Sequence, residues 1–176
     1  MLYVQQSLTP GEELLHVGHF HWLYTLSAIL WILWGVLGAV LVLGGAIYIK
    51  GVLGYGGVYQ GMIEAIRALH PAIRIGAFLI LVFGLLKFAT MMIIRATTEM
   101  AVTTSRIVYK RGLVARYVGE MSIDRIEGIN VLQSVWGRIL NYGRLMVRGM
   151  GVGEVTLPTI ADPIAFRRAI ERAKIK

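Results

Sequence analysis

The sequence predicts a transmembrane helical hairpin followed by a small α+β, mostly β, domain: antiparallel strands curled into a partly open barrel and capped by a C-terminal helix. Three observations carry this expectation. Residues 22–49 and 75–94 are long apolar runs, the first without a charge and the second with one. Beyond Arg95 apolar and polar residues alternate between glycine-marked breaks, the pattern of half-buried strands. The chain closes on a stripe of apolar residues at helical spacing.

Composition agrees with this division. Apolar types make up 56% of the 176 residues and charged types 16%, against roughly 45–50% and about 25% in soluble domains. A mean hydropathy of +0.66 excludes a disordered chain. The absence of cysteine excludes disulfides, thiolate metal sites and cysteine nucleophiles.

Residues 1–21 are expected as a separate N-terminal interfacial segment. Within it His16, His19 and His21 have the composition of a zinc or copper site. On a helix, however, His16 and His19 share a face that His21 does not, and Glu12 and Glu13 are the only further ligands near in sequence. The better reading places His21 and Trp22 at headgroup level, with no metal and no cofactor.

The first run, residues 22–49, has 28 residues where about 20 cross a bilayer core of ~30 Å. Its 14 Leu, Ile and Val residues supply roughly −4 to −8 kcal/mol of insertion free energy. A cleaved signal peptide is the competing reading, but the run is too long and Glu12 and Glu13 precede it in place of basic residues. Gly35 and Ala39 have small-xxx-small spacing, and Gly38, Gly44 and Gly45 add points where a second helix can approach. One sequence leaves open whether that helix belongs to the same chain, a second copy or another protein.

The connecting loop, residues 50–74, has a glycine- and tyrosine-rich half and a helical half, residues 62–70, ended by Pro71. The second run, residues 75–94, holds 12 Leu, Ile, Val and Phe residues, worth about −4 to −7 kcal/mol against roughly +2.5 to +3.5 for Lys87. Lys87 either snorkels toward the interface or meets an acceptor on another subunit. Together residues 22–94 form the predicted hairpin, which puts both chain ends on one side. Residues 95–176 carry 14 basic and 7 acidic side chains, hence +7. That charge favours the anionic cytoplasmic leaflet, with both termini and the domain in the cytoplasm.

Within residues 95–176, strands are expected at 99–103, 106–111, 114–122, 126–132, 144–149 and 154–159. Ile107 with Tyr109, Leu145 with Val147, and Val155 with Leu157 share faces by the period of two. Glycines 149, 151 and 153 read as a hairpin turn rather than a phosphate loop, because a strand and not a helix follows. Asp162 caps and Pro163 opens the final helix, whose apolar stripe is Phe166, Ala169, Ile170 and Ala173. Gln133, Ser134 and Arg138 form either a structural corner of the domain or a contact surface, and a Gln-Ser pair between a strand and a short helical turn more often satisfies backbone groups than binds a ligand.

Several residues together resemble a known family. They are Gly11-Glu12 and His21-Trp22, Val102-Thr103 with Arg106, and Gly112. Asp124-Arg125-Ile126-Glu127, Val131-Leu132-Gln133-Ser134 and Gly137-Arg138-Ile139-Leu140 with Gly143 form the densest stretch. Val147, Gly149, Gly151, Ile160-Ala161-Asp162-Pro163 and Phe166 complete the set. In these the chain resembles the bacterial pleckstrin-homology-like membrane proteins, in which a transmembrane hairpin precedes the domain. The resemblance implies two nearly orthogonal antiparallel sheets closed by the C-terminal helix and facing the cytoplasm, no enzyme activity and no agreed ligand. The longer loop and Lys87 depart from the family pattern.

No catalytic constellation is legible, so no enzyme is expected. Three functions compete. The first is an accessory or scaffolding subunit that binds other membrane proteins or itself. The second is a sensor of anionic lipid through Arg106, Lys110, Arg111 and Arg116. The third is a pore built from oligomerised hairpins around Lys87. Nucleic acid is not an expected partner, since the basic residues lack interleaved aromatic stacking positions.

Overall fold

The structure, a computed structural model, describes residues 3–55, 57, 59, 61–112, 117–151 and 153–175. In chain order its elements are α1 (Tyr3–Gln6), β1 (Leu14–Gly18), α2 (Trp22–Val52), α3 (Met62–Arg67), α4 (Pro71–Thr97), β2 (Glu99–Thr103), β3 (Arg106–Arg111) and β4 (Tyr117–Ser122). A 3-10 turn (Ile123–Arg125) leads into β5 (Ile126–Leu132), α5 (Val135–Ile139), β6 (Tyr142–Gly149), β7 (Gly153–Thr156), β8 (Ile160–Ala161) and α6 (Pro163–Ile175). By its internal contacts the chain divides into two units. One joins the chain up to Tyr24 with the chain from Ile93 onward, and the other is Thr25–Met92.

In the first unit the alternating sequence becomes two antiparallel sheets, in the order β1-β2-β3-β4 and β5-β6-β7, with β8 paired to β6. They do not form a closed barrel. Along β6, Gly143, Leu145, Val147 and Gly149 are buried while Arg144 and Arg148 are exposed, as a strand with one covered face requires. Inward residues of both sheets meet α6, whose Phe166, Ala169, Ile170 and Ala173 are buried. Asp162 Oδ1 accepts from the Ala165 N–H at 3.1 Å and so caps the helix that Pro163 opens. A Cβ on Gly18 would lie 2.9 Å from the Phe166 ring, so the bare backbone of β1 is what admits that side chain.

Residues 1–21, expected to stand apart, instead join this unit. Leu14 to Gly18 pair with β2 in the register Leu14↔Thr103 to Gly18↔Met100, and Val4 and Leu14 cover the outer face of the first sheet at Ala101 and Val108. That is why Ile107, Val108 and Tyr109 are buried in succession rather than alternately. Five strand residues, with a partner on the far side of two helices, carry too little periodicity to be read as a strand.

The expected strand at 154–159 is shorter, ending at Thr156 as β7 ahead of Pro158, which lacks a ladder donor, and the two-residue β8 at Ile160–Ala161 lies beyond its expected bounds. The expected strand at 114–122 is described only from Tyr117, as β4; residues 114–116 lie outside the described residues. Gly149↔Gly153 pairing closes the glycine run as a hairpin.

In the second unit α2 and α4 run antiparallel: proceeding along α2, Trp31 meets Phe83, Gly35 meets Gly84 and Gly38 meets Ile80. The buried positions are Ala28 and Gly35 on one helix and Ala77 and Gly84 on the other, each pair seven residues apart. A Cβ on Gly84 would stand 2.6 Å from the Trp31 carbonyl oxygen and 3.0 Å from the Gly35 Cα, so only glycine permits this approach. Both helices exceed their expected bounds. Pro71 opens α4, where its missing N–H costs nothing, and the Ala72 N–H donates to His70 Nδ1 at 3.2 Å. At the other end of the hairpin loop, Lys50 Nζ donates to the Ala68 carbonyl at 2.9 Å and α2 continues to Val52. The helical half of the loop is shorter than residues 62–70, ending as α3 at Arg67.

Candidate functional site

The period of two along β3 sorts its basic residues onto opposite faces. Arg106, Val108 and Lys110 share the face covered by the N-terminal segment, whereas Ile107, Tyr109 and Arg111 share the other. On the covered face Arg106 is enclosed. Its Nε and Nη2 each donate to Glu12 at 3.1 Å, Nη1 donates to Glu120 at 2.8 Å and Nη2 also donates to the Ser7 carbonyl at 2.6 Å.

The Glu12 side chain is only 2% exposed. It accepts further hydrogen bonds from the hydroxyls of Thr9, Thr103 and Ser105 and from the Thr9 N–H. Burial pushes its pKa up, but the bonds from Thr103, Thr9 and Ser105 outweigh that and hold it at about 2. Burial likewise disfavours the Arg106 cation, and Glu120 and Glu12 more than restore it, so its pKa is raised. Lys110, opposite Glu99 in register, donates to that carboxylate at 3.1 Å. Arg106 therefore clamps the N-terminal segment to the sheet, and Glu99, held by Lys110, accepts from the Val4 N–H at 3.4 Å; the sequence reading missed both uses because it did not place a strand before the first helix.

Arg111 is arranged differently. It pairs with Tyr117 across the β3–β4 ladder, and its guanidinium carbon lies 5.1 Å from the centre of that ring. Both border a cavity of about 520 Å³ within the first unit, whose other walls include Phe20, Ile94, Tyr109 and Pro158. Arg116 lies outside the described residues. Of the four predicted headgroup residues, Arg111 is thus the described one that combines exposure with an apolar cavity.

The Gln133–Gly143 segment forms a braced corner. Ser134 Oγ accepts from the Gly137 N–H at 3.1 Å, capping α5, and Gln133 Nε2 donates to the carbonyls of Tyr142 at 3.1 Å and Gly137 at 3.3 Å. A Cβ on Gly143 would lie 2.7 Å from the Gln133 side chain and 3.2 Å from Pro163, which locks the corner against the start of α6. Arg138 projects outward from it. So do Leu132, Val135 (74% exposed), Trp136 (67%), Ile139 (66%) and Leu140. Sequence reasoning missed this apolar tip, although the Val135-Trp136 and Ile139-Leu140 pairs recur four apart, the spacing of one helical face.

Within the second unit, Lys87 Nζ sits 5.5 Å from the Phe83 ring and 5.9 Å from Trp31, so its charge rests against two aromatic rings of its own chain. Gly35 and Gly38 contact α4, Ala39 is half-buried, and a Cβ on Gly44 or Gly45 would meet nothing within 4 Å. The open question of the neighbour is answered for Gly35 and Gly38 by α4, with Gly84 as the partner that sequence reasoning overlooked.

The histidines do not converge. His16 packs edge-on against Phe166, and burial, only partly offset by Asp162, lowers its pKa. His19 is exposed, and His21 is 6% exposed between Trp22 and Tyr142. The His21 ring is thus covered by its own chain, while Trp22 remains 57% exposed.

No curated protein and no solved structure shows significant similarity to the chain. A family model, the bacterial PH domain, matches residues 13–174, reaching from just before β1 to the penultimate residue of α6. With two antiparallel sheets, a capping C-terminal helix and both apolar helices inside the matched region, the chain belongs to the bacterial PH domain family.

Proposed function

We propose that this protein is a non-enzymatic integral membrane protein whose PH-like unit serves as an accessory or scaffolding subunit through contacts with other membrane proteins or with itself. In this reading α2 and α4 cross the bacterial inner membrane, and both termini and the PH-like unit lie in the cytoplasm. Support comes from the two helices, 31 and 27 residues long with hydropathies of 2.5 and 2.4 and only 11% of each apolar window buried. The +7 charge of residues 95–176 favours the anionic leaflet.

The observation that carries the binding role is the apolar tip at α5. Five large apolar side chains stand in solvent on a corner held rigid by Gln133, Ser134 and Gly143, and rigid presentation lowers the entropy lost on association. Tryptophan at such a centre is the residue type that most often dominates binding energy. The pore reading is weaker, because Lys87 is already engaged by Trp31 and Phe83.

The test is cross-linking in intact membranes followed by extraction in mild detergent and mass measurement. Trp136→Asp is expected to abolish the larger species while changing stability by less than about 0.5 kcal/mol, since the ring is exposed. A wild-type chain that is strictly monomeric and partner-free, or larger species indifferent to the substitution, overturns the proposal.

A further inference from the structure

We infer that the cavity bordered by Arg111 is a binding site for one anionic amphiphile, a single molecule bearing an acyl chain and a phosphate. Its volume of about 520 Å³ lies within the roughly 300–1,000 Å³ of small-molecule sites. Phe20, Ile94, Tyr109 and Pro158 give it apolar walls suited to hydrocarbon. Among the described residues the one cation on its border is Arg111, set directly opposite Tyr117 in the ladder. Its guanidinium carbon lies over that ring, 5.1 Å from the centre, and guanidinium N–H donors match phosphate oxygens in a bidentate fork. Arg106 and Lys110, one and five residues into the same strand, are instead committed to Glu12, Glu120 and Glu99. Among the described basic residues of β3, the cation facing the cavity is thus the one with no ion pair to a carboxylate.

The source of the ligand follows from the walls. Ile94 belongs to the last turns of α4, so hydrocarbon that surrounds an apolar helix reaches the cavity without crossing water. This step rests on the membrane-spanning reading of α4, while the binding of an anionic amphiphile rests on the cavity and Arg111 alone.

The experiment uses the full chain in mild detergent and native mass spectrometry. The probes are lysophosphatidylglycerol, lysophosphatidylcholine of the same chain length, and inorganic phosphate. One lysophosphatidylglycerol is expected per chain, preferred over the zwitterionic probe. Arg111→Gln should lower that preference about tenfold, the loss of one charge-assisted contact. Arg111→Lys should restore part of it, Ile94→Trp should fill the cavity and block both lipids, and Arg148→Gln should change nothing. Equal binding of the two lysolipids, indifference to Arg111→Gln, or equal competition by inorganic phosphate overturns the inference. Carbonate extraction separates the two failures: protein released from membranes by carbonate refutes the anchoring reading, whereas protein retained without lipid preference refutes only the site.

Discussion

The two units place the same kinds of side chain on opposite sides of their surfaces. In the PH-like unit the fully buried positions are large: Phe166, Met100, Leu145, Leu157 and Ile170. In α2 and α4 the buried positions are Ala28, Gly35, Ala77 and Gly84, while Trp34, Leu41, Phe83 and Leu86 face outward. The first arrangement draws its stability from removing hydrocarbon from water, about 25 cal/mol for each Å². The second cannot, since its largest apolar surfaces stay uncovered. It relies on close backbone contact between glycines; in the membrane-spanning reading proposed above, this is how helices associate when their surroundings are as apolar as their side chains.

Substitutions in each unit sharpen this contrast. The largest effect is expected from Phe166→Ala, which removes a ring fully enclosed by β1 and the core and should cost about 3–5 kcal/mol. Chemical denaturation of the detergent-solubilised chain, followed by loss of near-ultraviolet ellipticity, measures it; a cost below 1 kcal/mol, on the scale of a surface site, would erase the distinction.

Acid should act on the PH-like unit next. Glu12 is held at about 2 against an ordinary value of 4.5, a gap of roughly 2.5 units worth on the order of 3 kcal/mol. A depressed carboxylate stabilises the fold above its unfolded value, so this contribution is complete above pH 4.5 and is lost as the pH falls toward 2. Glu12→Gln should flatten the stability profile across that window and weaken the fold at neutral pH. A profile with unchanged slope in the variant would assign the acid sensitivity to other groups.

A smaller effect, about 1–3 kcal/mol of overpacking, is expected for Gly84→Leu, because its Cβ must displace the Trp31 carbonyl. Titration with sodium dodecyl sulfate reads the loss of helix pairing, and Gly44→Leu, whose Cβ meets nothing within 4 Å, serves as the control. Equal sensitivity of the two would mean that glycine contact does not hold the pair.

Local chemistry made much of the fold legible. The Asp162-Pro163 start and the stripe from Phe166 to Ala173 marked α6, and the glycine run marked the β6–β7 hairpin, because each signal lies within a few residues of the element it specifies. What escaped detection depends on distant partners. The Leu14–Gly18 strand is recognisable only beside Glu99–Thr103, and with it went the roles of Glu12, Arg106 and Lys110. The candidate site was half legible for the same reason: Arg111 was among the residues singled out for anionic lipid, but its difference from Arg106 emerges only when one face of β3 is seen to be covered. The apolar tip was missed because a five-residue helix carrying a glycine gives too short a pattern to separate an outward face from an inward one.

The pairing of β1 with β2 also constrains how the molecule is made. Eighty residues separate Gly18 from Glu99, an interval of roughly 4–16 seconds at ordinary translation speeds of about 5–20 residues per second. Until then the leading strand leaves the ribosome without its mate, and both long helices must be synthesised before the first sheet can close.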